Sequence, residues 1–450
     1  MPSKELLFSV FRHETTPQVP WVPFAGVHAG KLKGYSGQEM LTDADKLFDS
    51  LMEVHRVYDP DGMPITFDLQ IEAEILGCEL VWAKDAPPSV VGHPLADNLT
   101  IPTYIPQPSD GRLPLVLDVM ARMKTAVGAQ TALYGLVTGP LTLASHLRGT
   151  EIFMDTFDRP DFLVDLLAYC TQVGLAVADY FIEAGMDVIA VVDPVVSQVS
   201  PRMFKQYLHT PFQTLFDAVR ARGVFSSFFV CGDATKNIEV MCATAPDCIS
   251  IDENIDMVTA KQITDAHNIA IAGNIPLSTI MLNGTQQDTM KYVVDLMHCV
   301  SHHNLIISPG CDMPYDTPVE NTIGAMEAVR DHERIHALVQ NYTSSLDDIE
   351  VEMPDYAHLE KPLVEVFTID SATCAACGYM TAVAKQVVGS FEGRVEFVER
   401  KSTERENIAR IKKLGFAHLP SICINGELVY SSNIPNAGEF KQRLQACLED

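Results

Sequence analysis

Two pairs of cysteines are the residues in this sequence best suited to chemistry. Cys231 closes the apolar run of "FFVCGDATKN", and Cys311 lies in "SPGCDMPYDTPVEN". Both follow β-type runs, and both are followed at once by Gly or Asp. If those runs are strands of one parallel barrel, both thiols reach the same rim. Two thiolates converging there suit Zn2+, which takes Cys and His in tetrahedral sets. The plainer alternative is two unrelated core cysteines. Cys374 and Cys377 form "CAAC" between a β-type run and a helical segment. The first thiol then sits at a helix N-terminus, where backbone N–H groups and the helix dipole favour thiolate. That chemistry is dithiol–disulfide exchange, with an idle fold or half a metal site as alternatives.

The elements that must position these groups are short apolar runs alternating with long amphipathic stretches, the pattern of repeated βα units around a parallel sheet. Strands are expected at 19 to 25, 64 to 68, 132 to 139, 187 to 193, 223 to 231, 248 to 252, 269 to 273 and 304 to 310. Eight strands over this length predict an α/β fold, a (β/α)8 TIM barrel whose reactive groups sit at the C-terminal strand ends. The Pro-rich segment 75 to 130 is too long for one βα loop and is expected to be an insertion partly covering the mouth. A helix beginning in "DRPD" and ending on Gly185 fits the N-terminal Pro and C-terminal Gly preferences. Pro211 should kink or divide the helix after Ser200. The domain boundaries expected are a barrel over 1–342, an acidic linker over 343–362, and a small α/β domain over 363–450.

Acidic residues outnumber basic ones by 59 to 32, a formal charge of −27. Such a surface repels phosphate backbones and anionic lipid, so neither nucleic acid nor a membrane is expected as partner. No secretory signal pattern and no run of 18 apolar residues is visible, which gives a cytoplasmic expectation. The eleven cysteines have no disulfide-scaffold spacing and should be mostly reduced.

Two resemblances sharpen these expectations. The C-terminal order of strand, Cys-x-x-Cys, helix, strand, helix and "HLPSICINGE" resembles the thioredoxin and glutaredoxin superfamily. Pro420 occupies the position of that family's cis-proline. Ala-Ala replaces Gly-Pro between the cysteines, and no Trp precedes Cys374, which leaves the redox potential open. Residues 1 to 340 resemble the uroporphyrinogen decarboxylase superfamily, more closely its methylcobamide:thiol (coenzyme M) methyltransferase-like branch. The segments "FDLQIEAEILGCEL", "GLVTGPLTLASHLRG", "VVDPVVSQVSP", "VCGD", "SIDE", "AGNI" and "SPGCDMPYDTPVEN" carry that likeness.

The second resemblance implies zinc held by a His-x-Cys pair and a distant Cys, making Cys231 and Cys311 two of the ligands. It also implies methylcobalamin as methyl donor, brought by a separate corrinoid protein or taken from solution, a small-molecule thiol as acceptor, and a possible homodimer. The position two before Cys231, where the branch has His, is Phe229. His28, at the end of the first strand, is the candidate third ligand. Asp193 and Asp252 end the fourth and sixth strands and are candidate general bases or oxygen ligands. Asp68 and Glu72 are supporting or helix-capping candidates, and His302 and His303 should lie at the opposite face. The expected activity is methyl transfer to a zinc-activated thiol, the dithiol domain maintaining thiols. A thiol–disulfide redox or ligand-binding protein without metal is the alternative. A uroporphyrinogen decarboxylase-type decarboxylase is the second, opposed by the acidic charge and the missing N-terminal Arg motif.

Overall fold

The computed structural model describes residues 3–343, 350–369, 371, 375–416 and 418–449. Seven apolar runs pair in parallel, in chain order, into one curled TIM-barrel-like sheet. They are β1 (Gly62–Pro64), β2 (Ala132–Thr138), β3 (Val188–Val192), β4 (Phe225–Val230), β5 (Cys248–Ile251), β6 (Ala270–Ile275) and β7 (Leu305–Pro309). Strands covered on both faces read as unbroken apolar runs, which made them visible in the sequence. Alternate residues point inward: Tyr134, Leu136, Val188, Ala190, Val192, Phe229, Cys248, Ala270, Ala272 and Ile306 fill the interior with Phe24 and Phe67. Their neighbours, such as Val137, Val191, Phe228 and Ile271, pack outward against helices.

The expected first strand is not a regular one. Pro20 and Pro23 lack the N–H that a ladder needs. Only Trp21 bridges to Ile307. The Val22 N–H donates to the Ile307 carbonyl, the Ile307 N–H to Pro20, and the Asp61 N–H to Trp21, so this segment still spans the two edges of the sheet. β1 is likewise shorter than the run at 64 to 68.

The stretch from 75 to 130 is only partly an insertion. It holds a small hairpin, Glu79–Val81 with Ser89–Gly92, but also the helix Leu113–Ala126, which packs on the helix Ala44–Tyr58 as a barrel helix does. The helix α1 (Pro140–Arg148) follows β2, and α2 (Pro160–Glu183) starts on its proline. By length and composition α2 could cross a membrane, yet 56% of its apolar stretch is buried, against β2, α1 and the helix His209–Ala221. Pro211 acts through the turn before it: Phe204–Leu208 widens to a π-helical turn before α3 (His209–Ala221). The wider turn lies where the proline ring meets the preceding carbonyls.

A second sheet lies C-terminal to the first. β8 (Leu363–Thr368) pairs in parallel with β9 (Glu396–Lys401) and antiparallel with β10 (Ser421–Ile424), which pairs antiparallel with β11 (Glu427–Ser431). The helix α4 (Ala375–Gly389) joins β8 to β9. The helices Arg405–Leu414 and Ala437–Glu449 complete the unit. Its core is separate, built on Val364, Val366, Met380, Phe391, Ile422 and Phe440. The Leu419–Pro420 peptide is cis. Buried Glu365 accepts from Arg400 Nε at 2.9 Å and from the Tyr356 hydroxyl at 2.7 Å, which fixes part of the preceding acidic stretch on this sheet.

Candidate active site at the barrel mouth

Cys231 follows β4 and Cys311 follows β7, and the barrel brings their Cα atoms to 6.2 Å, with the sulfurs joined as a disulfide. Both residues are half-buried. Below them Phe229, two residues before Cys231 on the same side of β4, is enclosed in an aromatic plug. Its ring centroid lies 4.9 Å from Phe24 and 5.5 Å from Phe67, both edge-on, a favoured geometry for aromatic pairs.

Acidic side chains ring this disulfide. Asp252, at the end of β5, accepts from the Gly232 N–H and from the backbone N–H and side-chain amide of Asn254 at 2.7 and 2.9 Å. It therefore fixes the turn that presents Cys231, and burial pushes its carboxyl up against the pull of those bonds. Glu253 accepts from the Leu277 N–H at 3.2 Å with one oxygen, and its other oxygen is buried without a partner. Burial, and then the charge of Asp252, push Glu253 up to about 8. A Cβ at Gly310 would overlap the Glu253 carboxylate, so the residue before Cys311 must be glycine for this acid to lie against the chain. Asp312 sits on Gly26 in the same way, has one buried unpartnered oxygen, and is raised well above an ordinary aspartate, first by burial.

Asp193, at the end of β3, is fully buried and caps α1. Its carboxylate accepts from the Leu141 N–H at 2.9 Å, the Thr142 N–H at 3.1 Å and the Thr142 hydroxyl at 2.6 Å. Burial still raises it to about 6. Glu72 accepts from the Thr138 N–H and hydroxyl at 3.0 and 2.9 Å. Asp68 is ion-paired with Arg112, whose Nε also reaches Glu74 at 2.7 Å and whose guanidinium lies 5.0 Å from the Trp82 ring.

His28 lies on the rim but is fully committed. Its Nδ1 lies 2.9 Å from the Tyr315 carbonyl and its Nε2 2.6 Å from the Tyr58 hydroxyl. A carbonyl only accepts, so Nδ1 carries the proton and the Nε2 lone pair is taken by the tyrosine. Burial lowers this histidine to about 4, leaving it neutral. His302 bonds the Met297 carbonyl instead, at 3.0 Å.

Zinc does not fit this donor set. The two sulfurs are bonded to each other, the His28 lone pair is used, and Phe229 stands where a ligand was wanted. Among the described residues no group of three or more His, Cys, Asp or Glu could hold a metal ion.

The C-terminal unit rests on the mouth. Tyr379 of α4 is buried, donates to Ser145 Oγ of α1 at 2.9 Å and sets its ring edge-on to Phe153. The Leu419 N–H, just before Pro420, donates to Asn254 Oδ1 at 3.2 Å, and Ser402 Oγ meets Ser278 Oγ at 3.1 Å. Ser145, Asn254 and Ser278 all follow C-terminal strand ends. Cys377 is buried in the first turn of α4, and Cys374 lies outside the described residues.

Arg112, Glu253, Asn254, Asp312 and Tyr379 were not anticipated as site residues. Glu253 and Asp312 stand in motifs already noted, "SIDE" and "GCD", directly beside Asp252 and Cys311. Adjacency to a strand-end candidate was the signal for both. Tyr379 had no comparable signal, because its role depends on docking between distant segments.

A family model described as uroporphyrinogen decarboxylase (URO-D) matches residues 2–332. The chain is 27% identical over 342 residues to the methylcobamide:CoM methyltransferase MtbA of Methanosarcina acetivorans, covering 73% of this chain and 98% of that protein. It is 29% identical over 279 residues to the methylcobamide:CoM methyltransferase MtaA of Methanosarcina barkeri, covering 60% of this chain and 79% of that one. A solved methyltransferase from Methanosarcina mazei shares the fold with a TM-score of 0.68 at 24% identity, covering 74% of this chain and 99% of that one.

Proposed function

The chain belongs to the uroporphyrinogen decarboxylase (URO-D) family, and from that membership we propose that its barrel moves a methyl group from a methylcobamide to a small-molecule thiol. What carries this reading is the end-to-end similarity to methyltransferases of that name, over 98% of their length. The acid-rich rim supports it against decarboxylation of a polycarboxylate macrocycle. Such a substrate would meet Asp68, Glu72, Asp193 and Asp252, while Arg112 is already paired with Asp68 and Glu74.

In the transfer, the acceptor sulfur bonds the methyl carbon as the cobalt–carbon bond breaks, and the bonding pair stays with the corrinoid. The acceptor's proton must leave first. The corrinoid would be brought to the rim by a partner protein. Zinc activation, expected from the resemblance, has no donor set while Cys231 and Cys311 are bonded.

We assign two domains, 1–342 and 363–450, joined by 343–362, and take the second as thioredoxin-like. Its support is the order of elements around the Cys-x-x-Cys segment and the sheet order β9-β8-β10-β11. Cys374 and Cys377 would exchange dithiol for disulfide. The cytoplasm, where thiol reductants are abundant, suits that chemistry. A redox or ligand-binding barrel without metal is the second reading, favoured by the Cys231–Cys311 disulfide and the committed His28.

The test is methylcobalamin mixed with dithiol-reduced protein and a panel of thiols that includes coenzyme M. Demethylation followed by absorbance, with the methyl thioether detected by mass spectrometry, is the expected result. No turnover across the panel, with or without added zinc, would sink the methyltransferase reading.

A further inference from the structure

The positions of the contacts between the two units define how much of the barrel mouth the C-terminal unit covers. Ser145, bonded by Tyr379, lies in α1, between β2 and the barrel helix α2. Ser278, which meets Ser402, lies between β6 and the helix Gln286–Cys299. Asn254, bonded by the Leu419 N–H, follows β5, and α4 packs on the turn Pro194–Gln198 that follows β3.

The order of strands around the barrel gives these contacts their meaning. The segment at Trp21 closes the gap between β7 and β1. Going round one way, β3, β4 and β5 lie between β2 and β6; going round the other way, β1, the Trp21 segment and β7 do. The loops after β2 and β6 therefore stand at opposite ends of a diameter. A unit bonded to both, and to the loops after β3 and β5, lies across the mouth and does not merely flank it. Cys231, after β4, falls within that arc.

Tyr379 anchors this arrangement. Its side chain packs against the barrel core rather than the core of its own unit, and its hydroxyl donates to Ser145 at 2.9 Å. Its contacts therefore stabilise docking more than they stabilise the C-terminal fold.

We propose that the C-terminal unit is a removable cap, seated on the surface where the carrier of the methyl donor must dock, so that cap and carrier exclude one another. The identity of the excluded partner rests on the methyltransferase reading given above; the cap rests on the contacts between the units. A corrinoid held on a protein needs the face that the cap occupies. It binds only the open form, so its apparent affinity is reduced by the fraction of chains that are open. Weakening the docking raises that affinity.

The Cys231–Cys311 disulfide reports on access to the mouth in the full-length protein. Its reduction is followed by alkylation and peptide mass spectrometry, using dithiothreitol and, separately, a dithiol carried on a polyethylene glycol chain. Tyr379→Ala removes the ring and the bond to Ser145, and should raise the rate with the large reagent by about tenfold or more, and the rate with dithiothreitol by less. Tyr379→Phe removes the bond alone and should raise the large-reagent rate by about fivefold. In equilibrium dialysis, Tyr379→Ala should bind methylcobalamin about tenfold more tightly than wild type.

Large-reagent rates that are the same in all three chains, or that rise no more than the dithiothreitol rates, overturn the cap. Size-selective opening with methylcobalamin bound equally by wild type and Tyr379→Ala overturns the exclusion of the donor. Size-selective opening with no methylcobalamin bound by any chain supports the cap and defeats the methyltransferase reading instead.

Discussion

Asp193 offers the most decisive single perturbation, because its carboxylate can be read as an acid–base group or as the cap of α1. Three donors converge on it, from Leu141 and Thr142. Yet burial outweighs them and raises it to about 6. From an ordinary aspartate near ~3.9 that spans about two pH decades, at ~1.4 kcal/mol each, or about 3 kcal/mol. The sign follows from proton binding. The folded chain holds this proton more tightly than the unfolded chain, so the stability it contributes is greatest below pH 4. That contribution is lost as pH rises to 6 and is flat beyond.

Asp193→Asn removes the titration and leaves one donor facing an amide N–H, a constant cost of about 1–3 kcal/mol at every pH. Urea unfolding of both chains at pH 4, 5, 6 and 7 tests it. Trp21 and Trp82, the two tryptophans, both lie in the barrel segment, so fluorescence reports its unfolding. The stability of wild type minus that of the variant should fall by about 2 kcal/mol from pH 4 to 7, most of the full span. A difference that stays flat, or rises with pH, would mean that the cap holds the carboxylate ionised and that the burial argument is wrong.

Two further perturbations address the mouth. Glu253 is raised to about 8 beside Gly310 and Cys311. Above that pH it gains a negative charge that opposes a thiolate at Cys311. Reduction of the disulfide by dithiothreitol should then accelerate less between pH 7 and 9 in wild type than in Glu253→Gln, and parallel profiles would refute the assignment. Phe229→His introduces the residue that the resemblance to the methyltransferase branch implies at this position. It places an imidazole among Phe24 and Phe67, so stability should drop by roughly 2–4 kcal/mol in urea unfolding. Elemental analysis should find zinc bound at the mouth of this variant only after dithiol reduction; zinc in its oxidised form would show that the sulfurs are free.

The barrel was largely legible because its strands are enclosed on both faces and read as plain apolar runs. Placing Cys231 and Cys311 at strand ends was enough to bring them to one rim, since a parallel barrel gathers every C-terminal strand end there. The first strand reads as regular from its apolar character, but the missing N–H groups of Pro20 and Pro23 decide the pairing. The insertion reads as longer than it is for a related reason: the prolines before residue 107 mask the barrel helix that begins at Leu113. The partners of His28 were not legible at all. Tyr58 and Tyr315 approach it from distant segments, and no local pattern records that both nitrogens will be taken. The same limit applies to Asp193, whose donors lie some 50 residues earlier in the chain.

A rim with this many carboxyl groups needs a way to bear them, and the fold uses two. Glu72, Asp193 and Asp252 are given backbone or hydroxyl donors, which tie them to the turns that shape the mouth. Glu253 and Asp312 instead have buried, unpartnered oxygens, and burial pushes both upward, Glu253 to about 8. The effective charge around Cys231 and Cys311 at neutral pH is therefore lower than the count of acids implies. That matters for sulfur chemistry, because a released thiolate is repelled by an ionised carboxylate, and Glu253, raised to about 8, carries little of that charge at neutral pH. The raised carboxyl of Glu253 thus lowers the repulsion that a leaving thiolate meets at this acidic rim.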